Sequence, residues 1–429
     1  MSEVIEIQGG RPLHGEVLVS GAKNAALPVL IATLLSAESC RIENVPNLED
    51  TGITLHLLEQ LGAVTRFANG VVDVDASRLN ASETSYSLVK ALRASFWVLG
   101  PLLARTGSAR VALPGGDMIG ARPVDIHLEA LAQMGADIKL HHGVVVASAP
   151  HGLKAAEIDF RFPSVGATHQ LMMAAALVPG ETRIRNAARE PEIVTMGDFL
   201  RSMGAQVEGA GSSEITVKGR SELGAGKVAL IGDRIEAATY ILAVAASRGH
   251  ATVRGFNPEH LGEFLPLLSE CGLGIKTFAQ GLELDGRKGL GALNVRTQPY
   301  PGFATDIQPQ LTAALSTAQG VSRIEETIYE GRFAHVSELG RLGANIKIQD
   351  REILITGVEK LNGAPVDAYD IRGAAALLIA GLCAEGCTQI NEIHHLARGY
   401  ERLETKLQGL NAAVLKRVHD PEDFIFSGC

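Results

Sequence analysis

"HQLMMAAALVPGETRI" (residues 169–184) contains the fold in miniature. Its first half is apolar on almost every face, a small turn follows at Pro179-Gly180, and a short segment then leads to Ile184. A helix apolar all round is a buried helix, not an amphipathic surface element. The short segment after it reads as a strand. The same pattern stands at five other places: "AALPVLIATLLSAESCRI", "ASFWVLGPLLARTGSARV", "AATYILAVAASRGHATV", "PQLTAALSTAQGVSRI" and "AAALLIAGLCAEGCTQI". The strand-entry residues are Ile42, Val111, Ile184, Val253, Ile324 and Ile390, so the spacing is 69, 73, 69, 71 and 66 residues.

A second signature falls between these, a helix closing on Leu/Met-Gly-Ala. It occurs at Leu61-Gly62-Ala63, Met134-Gly135-Ala136, Met203-Gly204-Ala205 and Leu342-Gly343-Ala344, with variants Cys271-Gly272-Leu273 and Leu410-Asn411-Ala412. Gly or Asn just beyond a helix fits a left-handed C-cap. Alternating segments such as "DIKL" and "NIKIQ" follow as strands. Each unit therefore reads helix, strand, loop, helix, strand, strand. Units of about 70 residues exceed the ~20–50 of solenoids. They make better sense as six βαβ-type units, three to a domain, with helices inside and sheets outside. The 429 residues and 47 glycines suit two domains with many turns.

The bulk composition narrows the function. Net charge is −9, no basic run is present and there is one Trp. A nucleic-acid partner is not expected, because phosphate-backbone binding needs clustered Lys and Arg. The start "MSEVIEIQGGRP" lacks a basic signal-peptide region, and the longest apolar run, residues 25–37, is too short to span a bilayer. Cys40, Cys271, Cys383, Cys387 and Cys429 show no CxxC spacing, so unpaired thiols in a reducing cytoplasm are expected.

One stretch breaks the apolar pattern. "LPGGDMIGARPVD" (residues 113–125) is a polar loop with three glycines and Asp117 near its apex. A carboxylate there is open to three readings: a solvated turn residue, a metal ligand or an acid catalyst.

Five stretches in chain order carry a resemblance: "SGAKNAALPVL", "LPGGDMIGARPVDIH", "NAAREPEIV", "FATDIQPQ" and "RGYERLETKL". Together they resemble the UDP-N-acetylglucosamine 1-carboxyvinyltransferase family of enolpyruvyl transferases, related to EPSP synthase, along the whole chain. The resemblance implies a two-domain, inside-out α/β barrel of six repeats. It implies an N-terminal strand that crosses to the second domain and hinges near Gly21 and Leu230. The domains would then be residues 22–230, and residues 1–21 with 231–429. The implied reaction moves the enolpyruvyl group of phosphoenolpyruvate to the 3′-hydroxyl of UDP-N-acetylglucosamine and releases phosphate. It opens the cytoplasmic branch of peptidoglycan synthesis. No metal, cofactor, nucleic acid or membrane is implied, and the oligomeric state is left open.

Such an addition–elimination needs an acid for the methylene carbon, a base for the sugar hydroxyl, and cations for phosphate and carboxylate. Arg suits bidentate capture of these anions, and Lys acts as a point charge. By resemblance, Lys23 and Asn24 belong to the donor site. Arg93, Arg122, Arg332, Arg372 and Arg398 are basic positions around the substrates, with Lys23 and Arg398 also in the catalytic set. The nucleotide sugar is matched by Arg122, Pro123, Val124, Asp125 and Ile126 and by Phe162, Pro163, Ser164 and Val165, with Ile328 added. Asp306 is matched to the residue facing the 3′-hydroxyl, as base, and Asp370 to a further acid on the donor side. A lone Arg also reads as a solvated surface charge. Asp306 in "TDIQPQL" and Lys23-Asn24 also read as helix starts. His127 reads as packing against the nucleotide, and His394 and His395 as loop residues.

Three positions depart from the family pattern: Asp117 stands for a usual Cys, Glu49 for a frequent basic residue, and Phe162 for a frequent Lys, with Arg161 beside it as a substitute. Asp117 thereby takes the position of the lid's acid, with catalysis or product release as its implied task. The competing readings are a 3-phosphoshikimate 1-carboxyvinyltransferase and a non-catalytic paralogue that binds UDP-N-acetylglucosamine.

Overall fold

The Ala-rich segments carry little charge because they are withdrawn from water. In the computed structural model, which describes residues 2–114, 119–120 and 123–419, all eight residues of helix Gln308–Leu315 are buried. So is every residue of Arg234–Ala246 but the last. The described residues divide into two compact units: residues 2–20, 119–120 and 232–419 form the first, and residues 21–114 and 123–231 the second. Each has its own apolar core.

In the first unit, helices Arg234–Ala246, Gln308–Leu315 and Ile371–Cys383 pack on one another, and each backs a sheet of its own repeat. In the second, Lys23–Ala32, Leu99–Thr106 and Val165–Ala176 take the same places. Helices lie inside and sheets outside, as expected. The strands do not join into a closed barrel, however. Among the described residues they form six separate sheets, five of four strands and one of three.

One rule orders these sheets. The strand that follows a buried helix pairs antiparallel with the last strand of its repeat, and a strand from elsewhere joins its other edge in parallel. Thus Cys40–Glu43 pairs with Val71–Asp75 on one side and with Lys227–Ala229 on the other, Arg41 opposite Lys227. In the three-stranded sheet a single parallel bridge, Glu83 to Arg110, replaces the fourth strand. The last repeat has no final strand of its own. Ser2–Gln8 fills the place, antiparallel to both Cys387–Asn391 and Ala413–His419, with Ile5 opposite Ile390 and Lys416. Without it, two strand edges would expose unpaired backbone groups.

The second signature folds as a repeated cap. Gly62, Gly135, Gly204, Gly272 and Gly343 have φ between 92° and 104°, and Asn411 has φ 61°. In all six, the next residue's N–H reaches back five positions, as from Ala63 to Leu58 and from Ala412 to Leu407, both 3.0 Å. This is the Schellman arrangement. Gly357 answers a different need. A β-carbon there would lie 1.7 Å from the Ala318 carbonyl oxygen, so only glycine lets the sheet approach the helix end.

The thiol expectation needs correction. Cys40, Cys271 and Cys383 are free, but Cys387 is disulfide-bonded. Among the described residues, no helix is long and apolar enough to cross a membrane.

Candidate active site

Three elements of the first unit converge on one carboxylate. The turn Thr305–Ile307 carries Asp306, the loop after strand Val321–Glu325 carries Arg332, and helix Ile371–Cys383 begins with Arg372 beside it. Asp306 Oδ1 accepts from Arg332 Nη1 at 2.9 Å, and Oδ2 from Arg372 Nη2 at 3.0 Å. Both arginine side chains are under a tenth exposed, that of Asp306 27%. Burial works to raise the Asp306 carboxyl pKa. The guanidiniums of Arg372 and Arg332 outweigh it and hold the group well below the ordinary carboxylate range. Arg372 responds in kind: burial opposes its charge, yet Asp306 and Tyr400 hold it above the ordinary arginine value. Asp306 thus faces two buried guanidiniums, the residue type suited to anionic substrates, with the carboxylates of Asp370, Asp233 and Glu326 nearby.

Asp306 was also readable as a helix N-cap, and that reading fails. Ile307 stands at the N-cap of Gln308–Leu315, and the Asp306 oxygens go to the arginines. Asp370 is the cap here. It accepts from the N–H groups of Arg372 at 2.8 Å and Gly373 at 3.0 Å, fixing the turn from which Arg372 projects. Buried His335 sits near Asp370 and Arg332; burial lowers its pKa to about 4, so it is neutral at pH 7. Half-buried Ile328 lies in the loop that carries Arg332. Arg398, also half-buried, follows His394–Ala397, so His394 and His395 open a short helix and are not loop residues.

The remaining expected residues lie in the second unit. Lys23 opens helix Lys23–Ala32, and its Nζ is 2.7 Å from Asp50, whose side chain is wholly buried. Asn24 is next and half-buried, and Arg93 opens the turn Arg93–Val98. Pro123 is exposed, Val124 stands at the N-cap of helix Asp125–Gln133, and Asp125 and Ile126 form its first turn. Arg161 is ion-paired with Asp125 and with Glu129, the latter at 2.8 Å, so it is already engaged beside exposed Phe162. Pro163 leads to Ser164, which caps helix Val165–Ala176 by accepting from Ala167 N–H at 3.3 Å; Val165 starts the helix. His127 is a core residue: it bonds Gln170 Oε1 and meets Phe96 edge-on at 5.7 Å. Burial lowers its pKa to about 4. Asp117 and Arg122 lie outside the described residues.

Sequence reasoning missed the partners that hold these groups: Asp50, Thr305, Glu326 and Tyr400. Thr305 Oγ1 accepts from Arg332 Nη1 at 2.9 Å, and the Tyr400 hydroxyl is 2.9 Å from Thr239 Oγ1. Glu326 had one usable signal, the second acid of "RIEE", which falls on the inward register after Ile324 and half-buried Glu325.

Residues 7–407 match the family model of EPSP synthase (3-phosphoshikimate 1-carboxyvinyltransferase). The chain is 49% identical over 415 residues to the UDP-N-acetylglucosamine 1-carboxyvinyltransferase of Trichlorobacter lovleyi, covering 97% of this chain and 99% of that one. It is 46% identical over 410 residues to the enzyme of that name from Thermotoga petrophila, covering 95% and 97%. Among solved structures, the enolpyruvyl transferase NikO from Streptomyces tendae superposes with a TM-score of 0.87 at 28% identity, covering 98% of this chain and 100% of that one. EPSP synthase from Acinetobacter baumannii, at 17% identity and a TM-score of 0.73, shares the fold. The chain therefore belongs to the EPSP synthase family of enolpyruvyl transferases, in its UDP-N-acetylglucosamine 1-carboxyvinyltransferase branch.

Proposed function

We propose that this enzyme transfers the enolpyruvyl group of phosphoenolpyruvate to the 3′-hydroxyl of UDP-N-acetylglucosamine, in the cytoplasm, as the opening step of peptidoglycan synthesis. The observation that carries the reading is the convergence of Arg332 and Arg372 on Asp306, which joins a proton acceptor to two groups suited to anions. The 3′-oxygen attacks C2 of the donor while Asp306 takes the hydroxyl proton. Asp117 gives a proton to the methylene carbon. Loss of a proton from that carbon then expels phosphate and restores the double bond.

Lys23, Asn24, Arg93, Arg122, Arg372 and Arg398 hold donor anions. The nucleotide sugar is held by residues 122–126, residues 162–165, Ile328 and Arg332, with Asp370 orienting Arg372. A carboxylate gripped by two guanidiniums is a weak base. Substrate anions that draw the arginines toward themselves free it, so Asp306 gains basicity as the complex assembles. The two compact units are taken as the two domains. Asp117 leaves the loop without a thiol, and a carboxylate is a poor nucleophile toward the epoxide fosfomycin, which alkylates the cysteine of other family members.

Phosphate release is the deciding measurement, run with UDP-N-acetylglucosamine and with 3-phosphoshikimate as alternative acceptors. Turnover with the nucleotide sugar alone is expected. Turnover with 3-phosphoshikimate would transfer the assignment to the other branch, and none with either would leave a binding protein.

A further inference from the structure

Glu326 is a fully buried carboxylate directly after strand Val321–Glu325. It makes no ion pair among the described residues; four neutral donors hold it instead. Oε1 accepts from the Thr297 hydroxyl at 3.0 Å and from the N–H groups of Ile328 at 2.8 Å and Tyr329 at 3.0 Å. Oε2 accepts from the Thr305 hydroxyl at 2.9 Å. That same hydroxyl oxygen accepts from Arg332 Nη1, which also donates to Asp306.

We infer that Glu326 is a positioning residue for the Asp306–Arg332 pair and acts through the hydroxyl of Thr305. Proton direction sets the geometry. Thr305 has a single hydroxyl proton. An ionised carboxylate only accepts, so it claims that proton and turns the hydroxyl lone pairs toward Arg332. Arg332 is then fixed from two sides, by Thr305 and by Asp306. The backbone contacts of Oε1 hold the loop from which Arg332 projects, and the Tyr329 ring lies 4.9 Å from its guanidinium. Both Glu326 oxygens are satisfied, and in a buried network one wrong donor disturbs its neighbours. The inference rests on the reading of Asp306 as the base, since what Glu326 sets is how firmly Arg332 keeps Asp306 ionised.

The test uses the full chain with Glu326→Gln, Thr305→Val and the double variant, assayed by phosphate release across pH. In Glu326→Gln an amide N–H₂ facing Thr305 reverses the hydroxyl, and in Thr305→Val the hydroxyl is gone. Each single change is expected to lower kcat about tenfold, the scale of one hydrogen bond to a charged group, with a smaller change in either KM. The acid limb of the pH–rate profile should move to higher pH, because an Asp306 less well held by Arg332 protonates more readily. The double variant should be no worse than the poorer single, since both cut one path. A wild-type kcat and acid limb in Glu326→Gln, or losses that multiply in the double variant, would overturn the inference. Should Glu326→Gln fail to fold, Thr305→Val carries the test alone through the same acid limb. Asp306→Asn separates the two readings. If it is inactive while Glu326→Gln behaves as wild type, the relay fails and the base stands; if it is active, both fall.

Discussion

Lys23 with Asp50 in one unit, and Arg332 and Arg372 with Asp306 in the other, solve the same problem in opposite ways. Each takes charge out of water, which costs several kcal/mol per ion unless a partner is supplied. Lys23 receives one carboxylate at 2.7 Å, and the pair is neutral. Asp306 receives two guanidiniums, and the trio is left positive. The same buried chemistry thus gives a charge-balanced strut in one place and a trio with one cation in excess in the other.

The comparison is broken most forcefully at Asp50. Asp50→Asn removes the carboxylate that lies 2.7 Å from the Lys23 ammonium, and about 3 kcal/mol of stability should go with it. A thermal melt that matches wild type would show that the pair is not a strut. At Asp306 the expected effect is on rate. Asp306→Asn should lower kcat by at least ~10²-fold, the scale of general-base catalysis, and near-normal turnover would remove Asp306 from the mechanism.

Acid should sharpen the contrast further. His127 and His169 in the second unit are held neutral by burial, with pKa values lowered to about 4 and about 3, and His335 in the first to about 4. The unfolded chain binds these protons near pH 6.5 and the folded chain does not. Stability is therefore full above about pH 6.5 and falls as pH drops toward the folded values. Between pH 7 and 5 each buried histidine should cost roughly 2 kcal/mol. His169→Phe should flatten the pH dependence of melting, and an unchanged slope would mean that His169 titrates normally. The smallest effect lies at Asn411, the one member of the six repeated Gly-or-Asn caps that is not glycine. Asn411→Ala should cost about 1 kcal/mol, because alanine is strained at φ > 0. Chemical denaturation would register this as a lower midpoint, and a midpoint at or above wild type would contradict it.

Much of the fold is legible in the amino-acid sequence. Six apolar segments at near-constant spacing fix buried helices, because nothing else accommodates helices without a polar face. Six Gly or Asn positions fix the helix ends, because few residues accept positive φ. The family resemblance also points to Asp306, Arg332, Arg372 and Lys23, residue types that suit the transfer of anionic groups. What a linear chain does not reveal is who faces whom. The last repeat is incomplete as a stretch of sequence, and only the sheet, pairing Ser2–Gln8 with Cys387–Asn391 and Ala413–His419 at the far end of the sequence, completes it. Arg161 reads as available for a substrate and proves to be held by Asp125 and Glu129. Asp306 could have capped a helix and instead turns to two arginines from distant segments. Periodicity and turn chemistry are local, so sequence alone determined the elements and their ends. Charge pairing is a contest among groups brought together from afar, so long-range packing sets whether a buried carboxylate meets arginines, as Asp306 does, or neutral donors, as Glu326 does.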